Sequence, residues 1–373
     1  MQSKNFLLLY DLVVRDKRLI EDIASRLSQL GYTVEVARLV DEKKVHSLTN
    51  FDVVVINKPH FFDPYRLYKK LKGVKYVVLD TEGVLPGENF QHCLIEPDVY
   101  LHWFSHQAKR YNFKKTKQFI VGYPRAYQLK HLTHSNKKLI TVATNFSIMG
   151  YSDKEVDSRA RARKLKVAND WSLHEYKLFQ EESYETILKL IELNPNYRFV
   201  IKPHPNDPKS LWQSFNDKNL ANVEIFDHNK DIFELLKLSP NFHFCLDGCT
   251  TILDAYMCNI RAVSLESNKE FSKSLLKYLE YSNISDKNLN IESIKKHKTP
   301  NNQDADVFMK ELKLSSLDLI IEGILYAINN PQILKLHHAP TLMHFRHFIR
   351  LFFNNFSNKI QKKSNRRKMN TTD

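Results

Sequence analysis

The sequence predicts an α/β protein built from two doubly wound domains that face each other across a cleft. Three observations predict it. Apolar runs such as "NFLLLYD", "DVVVIN" and "KYVVLD" alternate with amphipathic stretches, the pattern of a parallel sheet covered on both faces. A polar segment, "YPRAYQLKHLTHSNKK" (123–138), interrupts this series, and a second series of the same kind follows it. The chain has 373 residues, more than one hydrophobic core usually organises.

In the first series, 5–11 reads as a strand and 17–30 as a helix stopped by Gly31. Further strands follow at "YTVEVARL", "DVVVIN", "KYVVLD" and "KQFIVG". The second series opens with "LITVATN" (139–145). It continues through a helix at 172–193, the strand "YRFVI", "VEIF" (223–226), a helix at 231–239, "HFCL" and "RAVSL". These boundaries predict an N-terminal domain over 1–133, a C-terminal domain over 134–335 and a tail over 336–373.

Composition narrows the class. With 42% hydrophobic and 12% aromatic residues the chain can fill real cores. The net charge of +14 is uneven: residues 341–373 hold eight Lys/Arg and one Asp, so +7 of it lies in the tail. Such a tail suits an anionic surface, membrane or nucleic acid. Cys93, Cys245, Cys249 and Cys258 lack CxxC spacing, which predicts a reducing compartment rather than a disulfide framework. The N-terminal "FLLLY" is too short for a signal peptide, and no run of about 18 apolar residues occurs. A cytoplasmic chain, peripheral on the membrane at most, is expected.

Ligands of open parallel sheets gather beyond the carboxyl ends of the strands. The polar residues placed there are the candidates: Asp80 and Glu82, Arg125, Asn145, Lys202 and His204, and Asp247, Gly248, Thr250 and Thr251. In "YRFVIKPHPND" (197–207), Pro203 and Pro205 fix the backbone around His204 at a strand end, so its imidazole can meet a phosphoryl oxygen with little loss of freedom. The alternative is a turn in which the prolines only end the strand. Lys202 supplies a point charge. In "FCLDGCTTILDAYMC", Asp247-Gly248 turns the chain and Thr250-Thr251 opens a helix, where hydroxyls and free amides suit a phosphate; a plain N-cap is the alternative. Asp80 and Glu82 in "VVLDTEG" supply two carboxylates for a general base, or a cap beside a glycine turn.

Asp304 and Asp306 have the spacing of a metal-chelating pair but lie in a polar loop, and the basic cluster at 159–166 reads as a solvated helix face, with binding of an acceptor phosphate as the alternative. No other histidine lies at local metal-ligand spacing from His204. GxGxxG after the first strand, GxxxxGK[ST] and GxSxG are all absent. Dinucleotide oxidoreductases, P-loop enzymes and serine hydrolases therefore recede.

Taken in order, "DTEG" (80–83), "YLHWFSHQ" (100–107), "VGYPR" (121–125), "TVATNF" (141–146), "KPHP" (202–205) and the hydroxyl-bearing helix start at 250–251 resemble GT-B glycosyltransferases. More narrowly, they resemble bacterial capsule and lipopolysaccharide biosynthesis proteins akin to Kdo transferases, polysialyltransferases and CDP-glycerol glycerophosphotransferases. The resemblance spans roughly 5–270. It implies that His204, Thr250 and Thr251 hold the donor phosphate, that Glu82 or Asp80 is the base, and that Asp254 meets the ribose. It also implies a cytidine-nucleotide donor, a glycan or lipid-linked glycan acceptor, and no metal or other cofactor. Two departures bear on these roles. Asp254-Ala255 followed by Asn259-Ile260-Arg261 stands where related chains carry Glu-Ala and a Gly-Lys-Pro turn, and "DTEG" replaces "DEEG".

In the tail, Phe345, Phe348, Ile349, Phe352 and Phe356 recur at three- and four-residue steps among Arg346, Arg350 and Lys359. Such a stripe can lie in a membrane interface with its cations on anionic headgroups. The alternative is a helix packed on the N-terminal domain. The following "KIQKKSNRRK" has no core role and favours the membrane. Transfer of a Kdo- or sialic-acid-like sugar to a surface polysaccharide is the expected activity. A CDP-alcohol phosphotransferase, a nucleotide-sugar epimerase and a nucleic-acid-binding protein using the tail are the rivals; no nucleic-acid partner is expected.

Overall fold

The computed structural model describes residues 4–39, 48–57, 69–80, 95–105, 108, 113–129, 136–157, 173–205, 207–217, 220–246, 249–265, 282–284, 289–296, 310–311, 317–333 and 335–336. Glu82, Asp247, Gly248, Cys93, Asp304, Asp306, the cluster at 159–166 and the tail from 337 onward lie outside them.

The first body is a sheet made from β1 (Asn5–Tyr10), β2 (Thr33–Arg38), β3 (Val53–Ile56), β4 (Lys75–Leu79), β6 (Val99–His102) and β7 (Lys117–Ile120). Its strands run in the order β2-β1-β3-β4-β6-β7, every pair parallel. Val53 to Ile56 and Phe6 to Leu9 are fully buried, because central parallel strands are covered on both faces. Helix α1 (Val13–Gln29) packs Leu19, Ile20, Ile23 and Leu27 on this sheet. It ends at Gly31, whose φ of +88° suits glycine. It begins four residues before the predicted start. Its N-cap residue is Leu12, which has no capping side chain; Asp16 reaches back instead and accepts from the Leu12 amide at 3.1 Å.

The second body contains β8 (Asn136–Ala143), β9 (Arg198–Lys202), β10 (Val223–Ile225), β11 (Pro240–Leu246), β12 (Arg261–Leu265) and β13 (Ser282–Ile284). They form a parallel sheet in the order β10-β9-β8-β11-β12-β13. The strand order reverses between β8 and β11, which makes their carboxyl ends the switch point of the sheet. Its helices are α2 (Leu173–Glu192), α3 (Lys209–Asp217), α4 (Ile232–Leu236), α5 (Thr251–Met257) and α6 (Ile291–Lys296).

Further features depart from the sequence expectation, beginning with β6, which was not among the predicted strands. Within the polar segment that interrupts the two series, Tyr123, Arg125, Ala126 and Leu129 are buried. The segment's polar groups find partners, with Tyr127 and Gln128 both donating to Asp22 at 2.7 and 3.2 Å. Helix α7 (Leu317–Asn329), expected with the C-terminal domain, instead packs on the first sheet, where Ile320, Ile321, Ile324 and Ala327 join the core around Leu8, Val55 and Leu101. The chain stays there: β14 (Lys335–Leu336) pairs antiparallel with β5 (Ile95–Glu96). Among the described residues no helix is long and apolar enough to cross a membrane.

Candidate functional site

At the switch point three strand ends lie side by side, with Ala143 of β8 opposite both Lys202 of β9 and Cys245 of β11. Two strand spacings put the ends of β9 and β11 about 10 Å apart, a gap on the scale of a phosphate with its ligands.

The loop after β9 is fixed by a residue that sequence reasoning passed over. The Asp207 carboxylate accepts from the Thr144 hydroxyl at 2.7 Å, the Phe146 amide at 2.6 Å and the His204 amide at 3.0 Å. The Asp207 amide in turn donates to the His204 carbonyl at 2.9 Å. One carboxylate thus closes the His204 turn and ties it to the loop after β8. Its sequence signal was only an aspartate after Pro205-Asn206, a turn-forming combination that does not name its partners. Burial pushes its carboxyl above the ordinary range.

The His204 imidazole is half-buried. Burial, with the positive charges of Lys202 and Arg15, pushes its pKa down to about 4. At neutral pH it therefore offers a neutral N–H rather than a charge. Lys202 is buried and donates to the His228 carbonyl at 3.3 Å. Burial lowers its pKa against the pull of Asp231, Asp227 and Asp207.

Beyond β11, Thr250 occupies the N-cap position of α5, but its side chain makes no capping bond. The Thr251 hydroxyl is engaged inward, 3.0 Å from His243 Nε2 and 3.2 Å from Cys249 Sγ. His243 Nδ1 lies 2.9 Å from the Thr141 hydroxyl. The sequence signal for this pair was a threonine within the apolar run 139–143 and a histidine within the apolar run 242–246. Asn145 uses its carbonyl to accept from Gln180 at 2.7 Å, and its buried Oδ1 has no partner among the described residues.

Arg125 and Asp254, expected at the nucleotide, are placed in the junction between the two bodies. The Tyr123 hydroxyl donates to Asp254 at 2.5 Å. Arg125 donates to both oxygens of Asp231, at 2.6 and 2.7 Å, and its guanidinium lies 3.9 Å from the Phe233 ring centroid. Asp231 also caps α4 through the Phe233 amide. Burial raises the Asp254 pKa to about 6 against the Arg125 charge and the Tyr123 hydrogen bond. Trp103, Phe104, Tyr123 and Ala126 pack here against Phe233, Ile252 and Leu253. In the first body Asp80 is buried at the end of β4; its carboxylate accepts from Tyr100 at 2.9 Å and its carbonyl from the Trp103 indole at 2.6 Å. Among the described residues no group of three or more His, Cys, Asp or Glu side chains could hold a metal ion.

No family model matches the chain, and no curated protein sequence matches it. Solved structures do. S. aureus MnaA in complex with UDP superposes with a TM-score of 0.54 at 10% identity, over 87% of this chain and 97% of its own. The wall teichoic acid polymerase TagF soaked with CDPG gives 0.52 at 13% identity, over 87% and 89%. The UDP-GlcNAc 2-epimerase of Neisseria meningitidis bound to UDP-GlcNAc gives 0.51 at 11%, over 86% and 100%. Together with two parallel sheets, these likenesses decide the architecture. The fold is GT-B. At such identities the likeness speaks for the fold alone.

Proposed function

We propose that this GT-B protein is a transferase that binds the phosphate of a nucleotide donor at the carboxyl ends of β8, β9 and β11. It moves a sugar or sugar-like unit, of Kdo or sialic-acid type, to a surface-glycan acceptor. The observation that carries this reading is the His204 turn: Asp207 fixes a half-buried imidazole at the switch point of the second sheet. The three similar structures hold UDP, CDPG or UDP-GlcNAc, which supports a nucleotide donor. Cytidine as its base rests on the resemblance of "KPHP" and its companion motifs.

In this reading the neutral His204 N–H donates to a phosphoryl oxygen, and Lys202 contributes positive potential from behind it. The Thr250 hydroxyl, unused as a cap, joins them. Charge building on the departing nucleotide is thereby stabilised. A carboxylate of the first body removes the acceptor's proton. Tyr100 already takes up part of the Asp80 carboxylate, so Glu82 is the preferred base of the two. The basic aromatic tail brings the protein to an anionic membrane surface, where a lipid-linked acceptor would reside.

Thermal-shift titration with CMP, CDP, UDP and GDP, followed by a transfer assay, tests the reading. Cytidine nucleotides should stabilise the protein. His204→Ala should abolish transfer while leaving the fold intact, and normal turnover in that variant would remove His204 from the mechanism. The epimerase reading is favoured by the likeness to the N. meningitidis enzyme; product formed from the donor alone would establish it. Release of CMP with transfer of an alcohol phosphate would instead favour the CDP-alcohol phosphotransferase.

A further inference from the structure

His243 is fully buried in β11 and hydrogen-bonded at both ring nitrogens, with Thr141 at 2.9 Å and Thr251 at 3.0 Å. Two buried polar residues in strand interiors are costly unless every group is satisfied. Here the two satisfy each other, and the connection ends on a residue at the strand-end site. Apolar residues of the same size would serve packing alone at least as well.

A neutral imidazole carries one N–H and one lone pair. The two threonine hydroxyls therefore meet it in opposite roles, one donating to the ring and one accepting from it. Geometry around Thr141 chooses between the two arrangements. Were Thr141 to accept from Nδ1, its own proton would have, among the described residues, only the Phe242 carbonyl, 3.4 Å away, beyond the usual reach of an O–H···O bond. Donation to Nδ1 at 2.9 Å is the better use. Nε2 then bears the proton and donates to Thr251, and the Thr251 hydroxyl keeps its hydrogen for an acceptor other than His243: the Cys249 sulfur 3.2 Å away in the unliganded protein, or a phosphoryl oxygen in its place. The opposite tautomer would spend that hydrogen on His243 and turn only lone pairs towards an anion.

We propose that His243 is a positioning residue, held as the Nε2–H tautomer, that presents the Thr251 hydroxyl as a hydrogen-bond donor to the donor's phosphoryl group. The assignment rests on the reading that a nucleotide phosphate binds at these strand ends. Burial pushes the His243 pKa to about 3, so the ring stays neutral across the working range of pH and the polarity of the relay does not reverse.

Two measurements on the full chain test it. ¹⁵N-histidine NMR, with the His243 signals assigned by their loss in His243→Gln, should show the Nε2–H tautomer, unchanged between pH 5 and 8. An Nδ1–H tautomer or an imidazolium overturns the proposal whether or not any nucleotide binds. Calorimetric titration with CMP and CDP then separates positioning from packing. His243→Leu should bind about tenfold more weakly, and His243→Gln, whose amide can still donate to Thr251, should recover most of the loss. Equal affinity in His243→Leu and the parent protein overturns the role of His243 but leaves the nucleotide site standing. A parent protein that binds none of CMP, CDP, UDP and GDP overturns the donor-site reading instead, and with it the Thr251 contact.

Discussion

At the scale of single residues, the His204 turn shows what a sequence can and cannot disclose. Two prolines around a histidine at a strand end were legible because proline restricts the backbone wherever it stands. The Asp207 carboxylate was not, since its three donors come from two different strand ends and meet only in the fold. Asp207→Ala strands those donors and should cost about 2–4 kcal/mol in denaturant unfolding, with nucleotide affinity lost as well. His204 itself has a folded pKa near 4 against an ordinary 6.5. Its neutral form therefore contributes stability above pH 6.5 that is lost as the pH falls towards 4. An anionic phosphate beside it restores basicity. Nucleotide binding at pH 6 should then take up a proton, read as a dependence of the calorimetric heat on the ionisation enthalpy of the buffer, and the dependence should vanish in His204→Ala.

At the scale of elements, most strands and α2 were legible from apolar runs and helical period, whereas β6 (paired between β4 and β7), β13 and the elements set by tertiary partners were not. Helix α1 starts early because Asp16 replaces an N-cap side chain. The 123–129 segment reads as polar yet is buried, because Asp22, Asp231 and Asp254 lie where its polar groups need them. This junction should be sensitive to pH. The Asp254 carboxyl rises from 3.8 to about 6 in the fold, so the native state holds its proton more tightly than the unfolded chain. The stability it contributes is complete below pH 3.8 and is lost as the pH rises through 6, by about 3 kcal/mol in all. Asp254→Asn should flatten the slope of unfolding free energy between pH 4 and 6. In α7, a Cβ on Gly323 would lie 2.5 Å from Leu101 Cδ2. Gly323→Val should overpack this contact and cost about 1–3 kcal/mol by denaturant unfolding.

At the scale of the whole molecule, two alternating β/α series sufficed to predict two parallel sheets, because a covered parallel sheet demands continuous apolar strands. The return of α7 to the first sheet was not legible: its apolar face would fit either body, and only the fold shows which one it covers. The tail carries the membrane proposal. Removal of 341–373 should abolish co-sedimentation with anionic vesicles at low salt while leaving nucleotide binding intact, and retained co-sedimentation would assign the membrane contact elsewhere.

The central claim is that a nucleotide phosphate is held at the ends of β8, β9 and β11. A crystal structure of the protein with CDP tests it most directly. The account predicts a phosphoryl oxygen within hydrogen-bonding distance of the His204 imidazole and of a threonine hydroxyl at 250 or 251. A nucleotide seated elsewhere, with His204 facing solvent, would contradict it.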